Sequence, residues 1–84
     1  GLKERAALRQ LSPQYFAHLF KRSVGIAPHQ YVIKQRIKRA KKLLKNREIS
    51  IADIAYQVGF SNQAHLNRHF KRAVGTTPGR YRRG

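Results

Sequence analysis

The chain has 84 residues and a formal charge of +16, with 19 lysines and arginines against only Glu4, Glu48 and Asp53. That length excludes more than one small domain, and the absence of cysteine excludes a disulfide framework and a thiolate metal site. Self-repulsion on this scale points to a polyanionic partner, nucleic acid before an anionic membrane, and no apolar run approaches a membrane span.

Helix punctuation is dense and strand signals are absent. Leu2 to Gln10 reads as a short helix. Its opening, GLKERAALRQ, lacks a signal-peptide core and begins abruptly, as expected of the cut edge of something longer. Ser12-Pro13 supplies an N-cap hydroxyl and then a proline at the first helical position, where its missing N–H costs nothing. The helix it opens runs to about Ser23, and Gly25 suits the left-handed position beyond its end.

Pro28 starts the longest helix, to about Lys45, and eight of the fourteen residues from Lys34 to Arg47 are basic. Ile33, Ile37, Ala40 and Leu44 form its core stripe, while Lys34, Lys38, Lys41, Lys42 and Lys45 form the wet side. Arg36 falls inside the apolar stripe, and a buried guanidinium needs a partner. Asp53, one of three acids, is the expected one.

Ser50 then caps another helix, with Asp53 three residues on completing a capping box. Gly59 breaks it, Ser61 caps the next, Gly75 closes that one, and Thr77-Pro78 starts a final turn. The fold class predicted is all-α, with six or seven helices. Residues 2–25 form a first helix-turn-helix, residues 28–45 a basic connecting helix, and residues 50–75 a second helix-turn-helix. Residues 77–82 form a C-terminal helical turn, and residues 1–84 make one domain.

An internal repeat underlies this division. FKRSVGIAPHQY, from Phe20 to Tyr31, returns as FKRAVGTTPGRY from Phe70 to Tyr81. Two copies are too few for a solenoid. Leu2 to Ser12 pairs with Ile51 to Ser61 at an offset of 49, bringing Ala6 against Ala55. Beyond the turn the offset becomes 50, so the second copy carries an extra residue near the start of its second helix. A short helix, a tight turn and a second helix is the layout of a helix-turn-helix, whose second helix enters the major groove.

In the first such helix Phe16, Leu19 and Phe20 mark the inward face, with Val24 just beyond. Gln14, Ala17, His18 and Lys21 are left on the open face. In the second, Leu66 and Phe70 point inward and Gln63, Ala64, Asn67, Arg68 and Lys71 stay open. These side chains suit base edges: Gln and Asn pair with adenine, Arg with guanine, and Ala touches a thymine methyl. The plainer reading of each face is ordinary solvated polar surface.

The stretches YVIKQRIKRAKKLL and ISIADIAYQVGFSNQAHLNRHFKRAVGTTPGRYR resemble the DNA-binding domain of AraC/XylS-type transcription regulators. SPQYFAHLFKRSVGIAPHQY matches the first motif, so the resemblance covers nearly the whole chain. It implies a bacterial, cytoplasmic, nucleoid-associated transcription factor with double-stranded DNA as partner, RNA polymerase as a second, and no cofactor. It also implies that a helix normally preceding Leu2, and any ligand-sensing domain, are missing. By the resemblance Gln14, Ala17, His18, Gln63, Ala64, Asn67 and Arg68 read bases. Ser12, Tyr15, Lys21, Arg22, Lys42, Ser61, Asn62, Lys71 and Arg72 are assigned to the DNA backbone.

There are departures from the family pattern. Arg5 and Arg9 fill slots taken by Ile54 and Val58 in the second copy, and Gln10 stands where Gly59 permits positive φ. The Arg5/Arg9 face is expected to be wet, or to touch phosphate, and the first half to be the less stable.

Other chemistries fare worse. His65 and His69 stand at a zinc-gripping spacing, but HLNRH lacks a metalloprotease glutamate and no third ligand is evident. His18 and His29 are read as polar contacts. Three acids and no Gly-rich phosphate loop leave no catalytic constellation, so no enzyme is expected. A membrane-surface peptide would need an uninterrupted amphipathic helix. The competing reading is a non-specific basic nucleic-acid binder; stacking on RNA would need exposed aromatics, whereas Phe16, Phe20, Phe60 and Phe70 fall at core positions.

Overall fold

The computed structural model describes residues 12–84, whose regular structure is α-helical throughout. Five helices follow in order: α1 (Pro13–Val24), α2 (Pro28–Leu44), α3 (Ile51–Val58), α4 (Gln63–Val74) and α5 (Pro78–Arg83). The expected boundaries hold to within a residue at Val24 and Leu44. The expected helix over Leu2–Gln10, with Arg5, Ala6, Arg9 and Gln10, lies outside the described residues. No described helix is long and apolar enough to cross a membrane.

Capping explains most of the boundaries. Ser12 Oγ accepts the Tyr15 N–H at 3.1 Å, Ser50 Oγ accepts that of Asp53 at 3.1 Å, and Thr77 Oγ1 accepts that of Arg80 at 3.3 Å. Each satisfies one of the N–H groups a helix start leaves open. One expected cap is wrong. Asn62, not Ser61, caps α4, its Oδ1 accepting the His65 N–H at 2.8 Å. Two capping residues stand side by side here, and the extended backbone of Asn62 makes it the half-turn before the helix.

Asn62 therefore stands fifty residues after Ser12, and α1 and α4 match at both ends at that offset. The second copy's extra residue lies in its turn, before the cap, rather than in the helix.

The chain divides into two compact units, Gly1–Tyr31 and Val32–Gly84. The boundary falls inside α2, after its first turn.

In the second unit Ile37, Ala40 and Leu44 of α2 are buried with Ile54, Ala55 and Val58 of α3, with Phe60, and with Leu66 and Phe70 of α4. Ile33 packs half-buried against this core. Each large apolar side chain so buried contributes about 1.5–3 kcal/mol. Arg82 closes the unit from α5. Its Nε donates to the Leu44 carbonyl at 3.0 Å, and its Nη2 to those of Asn46 at 3.2 Å and Ile49 at 2.7 Å. A cation thus satisfies the carbonyl end of α2, where the helix dipole also favours it.

Among the described residues of the first unit, burial is thinner. None of the α1 side chains is fully buried; Leu19 and Phe20 are half-buried. Phe16, expected inside, is 50% exposed, and Val24 is exposed as well, whereas Leu66, the counterpart of Phe16, is 0% exposed. Helical spacing marks a stripe as apolar, but burial requires an opposing surface. The ring of Phe16 lies near that of Phe20, with centroids 6.1 Å apart, and that contact leaves half of it open.

Candidate nucleic-acid interface

Helical spacing sets Gln14, Ala17, His18 and Lys21 on one side of α1. Gln14, His18 and Lys21 are exposed and Ala17 is half-buried, with Tyr15 and Arg22 exposed beside them. On α4, Gln63, Ala64, Arg68, Lys71 and Arg72 are exposed and Asn67 is half-buried. Ser12, Ser61 and Asn62 stand exposed at the helix starts, and Lys42 is exposed on α2. At the common offset Gln14, Ala17 and His18 correspond to Ala64, Asn67 and Arg68.

Each helix carries its chemistry in two zones. The amino-terminal part presents amides, a small methyl group, an imidazole or a guanidinium. The last turn presents Lys21 and Arg22, or Lys71 and Arg72. Neither helix contains an acid. Both end in the same way, the Gly25 N–H donating to the Lys21 carbonyl at 2.7 Å and the Gly75 N–H to that of Lys71 at 2.8 Å. Such a face offers donors and acceptors at one end and cations for phosphate at the other.

The start of α4 is tied down by its own side chains. Ser61 Oγ and His65 Nδ1 hydrogen-bond at 3.1 Å. The Phe60 ring meets His65 edge-on, centroids 5.4 Å apart, and stacks with His69 at 5.5 Å and 18°. The two imidazoles lie 4.8 Å apart. Among the described residues no group of three or more His, Cys, Asp or Glu side chains could hold a metal ion.

Arg36 does not pair with Asp53, which is exposed on α3. Its guanidinium lies over the Phe60 ring instead, with Cζ 5.6 Å from the centroid. The arginine is only half-buried, so the aromatic face and water together serve where a carboxylate was expected. Sequence spacing showed that this guanidinium needed a partner but not which one. Arg82 was missed altogether, because no local pattern marks an arginine that caps a helix earlier in the chain.

The helix-turn-helix domain family matches the chain over residues 6–84. The probable transcriptional regulator LumQ of Photobacterium leiognathi is 37% identical over 81 residues, spanning 96% of this chain and 33% of that protein. The arabinose operon regulatory protein of Escherichia coli is 38% identical over 74 residues, spanning 88% of this chain and 25% of its own length. The crystal structure of the DNA-binding domain of the global transcriptional factor AdpA in complex with a target DNA is similar, with a TM-score of 0.82 and 32% identity. That match covers 99% of this chain and 75% of that one. The chain thus spans a third or less of the length of these two regulators.

Proposed function

The chain belongs to the AraC-type helix-turn-helix family of transcription-regulator DNA-binding domains, whose members here are not enzymes, and on that premise we propose that it reads duplex DNA sequence with α1 and α4. Each helix enters a major groove. Gln14, Ala17 and His18 face the bases from α1, and Gln63, Ala64, Asn67 and Arg68 from α4. Ser12, Tyr15, Lys21, Arg22, Lys42, Ser61, Asn62, Lys71 and Arg72 engage phosphates.

The observation that carries this reading is the match between the two helices. They have equal length, the same cap frame fifty residues apart and no acid, yet present different side chains at equivalent open positions. A repeat that keeps the frame and varies the open face suits two readers of two different half-sites. One chain then takes the place of two subunits, and the site is non-palindromic, about two helical turns long. The protein acts as a monomer in the bacterial cytoplasm, with RNA polymerase as a further partner.

Selection of bound duplexes from a random pool, then competition between the selected duplex and random duplex at matched salt, tests the proposal. Specific affinity is expected to exceed random by about 10³-fold or more. Inserting about 5 bp between half-sites is expected to remove most of it, because half a turn puts one reader on the wrong face. Unchanged affinity after the insertion, or a requirement for a dimer on a palindrome, would defeat the two-reader scheme.

A second reading has one observation in its favour. Tyr15 and Phe16 are each 50% exposed, against the expectation that Phe16 would be buried. Open rings in a basic protein suit base stacking on single strands. Single-stranded RNA as a third competitor separates the readings: equal competition by RNA and selected duplex would favour a non-specific binder.

A further inference from the structure

We infer that Arg36 is a positioning residue for sequence reading, acting through Phe60 to fix where α4 starts. The inference rests on the reading of α4 as a groove helix. Phe60 occupies the turn between α3 and α4 and is buried. Its own N–H donates to the Ala55 carbonyl at 2.9 Å, which anchors the turn to α3. Three side chains gather on its ring: Arg36 from α2, and His65 and His69 from the first two turns of α4. His65 in turn holds both residues before the helix, through the Ser61 hydroxyl and the Asn62 cap. The ring is therefore the junction through which α2, the turn and the start of α4 are kept in register.

Gly59 shows that the place of Arg36 is built in. Its φ of +108° demands glycine on backbone grounds, and a Cβ there would stand 2.9 Å from Arg36 Nε and 3.2 Å from Cζ. The guanidinium lies in the space that the missing side chain leaves. It thus touches the C-cap of α3 and the turn ring together.

Base contacts and phosphate contacts respond differently to a small shift of α4. Bidentate pairing with a base edge has a narrow geometry, whereas a long lysine or arginine follows a phosphate that moves by an ångström. Loosening the junction is thus expected to lower discrimination while leaving random-duplex binding unchanged. A direct phosphate contact by Arg36 would do the reverse, weakening all duplexes alike and lowering the salt slope by about one.

The test measures affinity for the selected and a random duplex across salt for wild type, Arg36→Met, Arg36→Lys and Phe60→Leu, with far-UV circular dichroism as the check on folding. Arg36→Met is expected to lower the specific-to-random ratio about tenfold, the size of one lost base contact, with random affinity and salt slope unchanged. Arg36→Lys is expected to restore part of the ratio by keeping a cation over the ring. Phe60→Leu, which keeps the apolar bulk, is expected to match Arg36→Met, and the double variant to be no worse than either alone. An unchanged ratio in Arg36→Met, additive losses in the double variant, or a salt slope lowered by about one would overturn the inference. If Arg36→Met does not fold, the Arg36→Lys and Phe60→Leu ratios decide, and wild-type ratios in both overturn it. A wild-type chain that binds all duplexes equally would overturn both this inference and the reading beneath it.

Discussion

Phe70 meets Tyr81 edge to face, with ring centroids 5.4 Å apart and planes at 72°. The same pair occurs fifty residues earlier between Phe20 and Tyr31, at 5.7 Å and 70°. The phenylalanine and tyrosine of the repeated phrase are thus a contact written twice, each pinning the end of one helix to the start of the next. Their surroundings differ, since Phe70 is buried and Phe20 only half-buried. Phe70→Ala is expected to cost about 3–5 kcal/mol in urea unfolding and Phe20→Ala less. Equal costs would show that the first unit is as well packed as the second.

Thin packing has a second consequence. Phe16 and Val24 are open where Leu66 is fully buried and Val74 half-buried. Amide hydrogens of α1 are expected to exchange through lower-energy openings than those of α4, because fewer buried apolar contacts hold them. Native-state hydrogen exchange measures this directly, and equal protection would count against it.

Arg82 is expected to matter more than its neighbour in sequence. Arg82→Gln leaves the carbonyls of Leu44, Asn46 and Ile49 without their charged donor. The expected loss is about 1.5–3 kcal/mol. Arg83→Gln, at an exposed position, is expected to stay within about 0.5 kcal/mol of wild type. Thermal unfolding of the two variants side by side checks the contrast.

Salt is expected to weaken DNA binding steeply. If roughly six to ten phosphates are neutralised, affinity falls about 10³–10⁵-fold between 50 and 200 mM salt. A nearly flat response in a titration would remove the electrostatic part of the proposal.

Arg68→Ala and Lys42→Ala are expected to differ in kind. Arg68 is exposed on the open side of α4, and its loss is expected to cost about 1–3 kcal/mol and relax preference at one base pair. Lys42 is exposed on α2, and its loss is expected to weaken every sequence alike. Affinities across a panel of single-base variants separate the two, and uniform weakening by Arg68→Ala would make it a backbone contact.

What the sequence determined by itself was whatever obeys rules acting within three or four residues. Ser12, Ser50 and Thr77 cap helices because a side-chain oxygen reaches the N–H three positions on. Gly25, Gly59 and Gly75 take positive φ where helices stop. The open faces of α1 and α4 and the core stripe of α2 follow from helical periodicity, and the repeat is legible by direct comparison of the two segments. Tertiary structure decided the rest, because it depends on what arrives from elsewhere in the chain. Spacing marked Phe16 and Leu66 as equals, yet only Leu66 meets a surface that buries it. Sequence reading placed the α4 cap at Ser61, and the path of the turn made it Asn62. Charge counting offered Asp53 to Arg36, whereas packing supplied the face of Phe60. Arg82 reaches back 38 positions to Leu44, and no short-range pattern encodes a hydrogen bond between groups that meet only after the chain has folded.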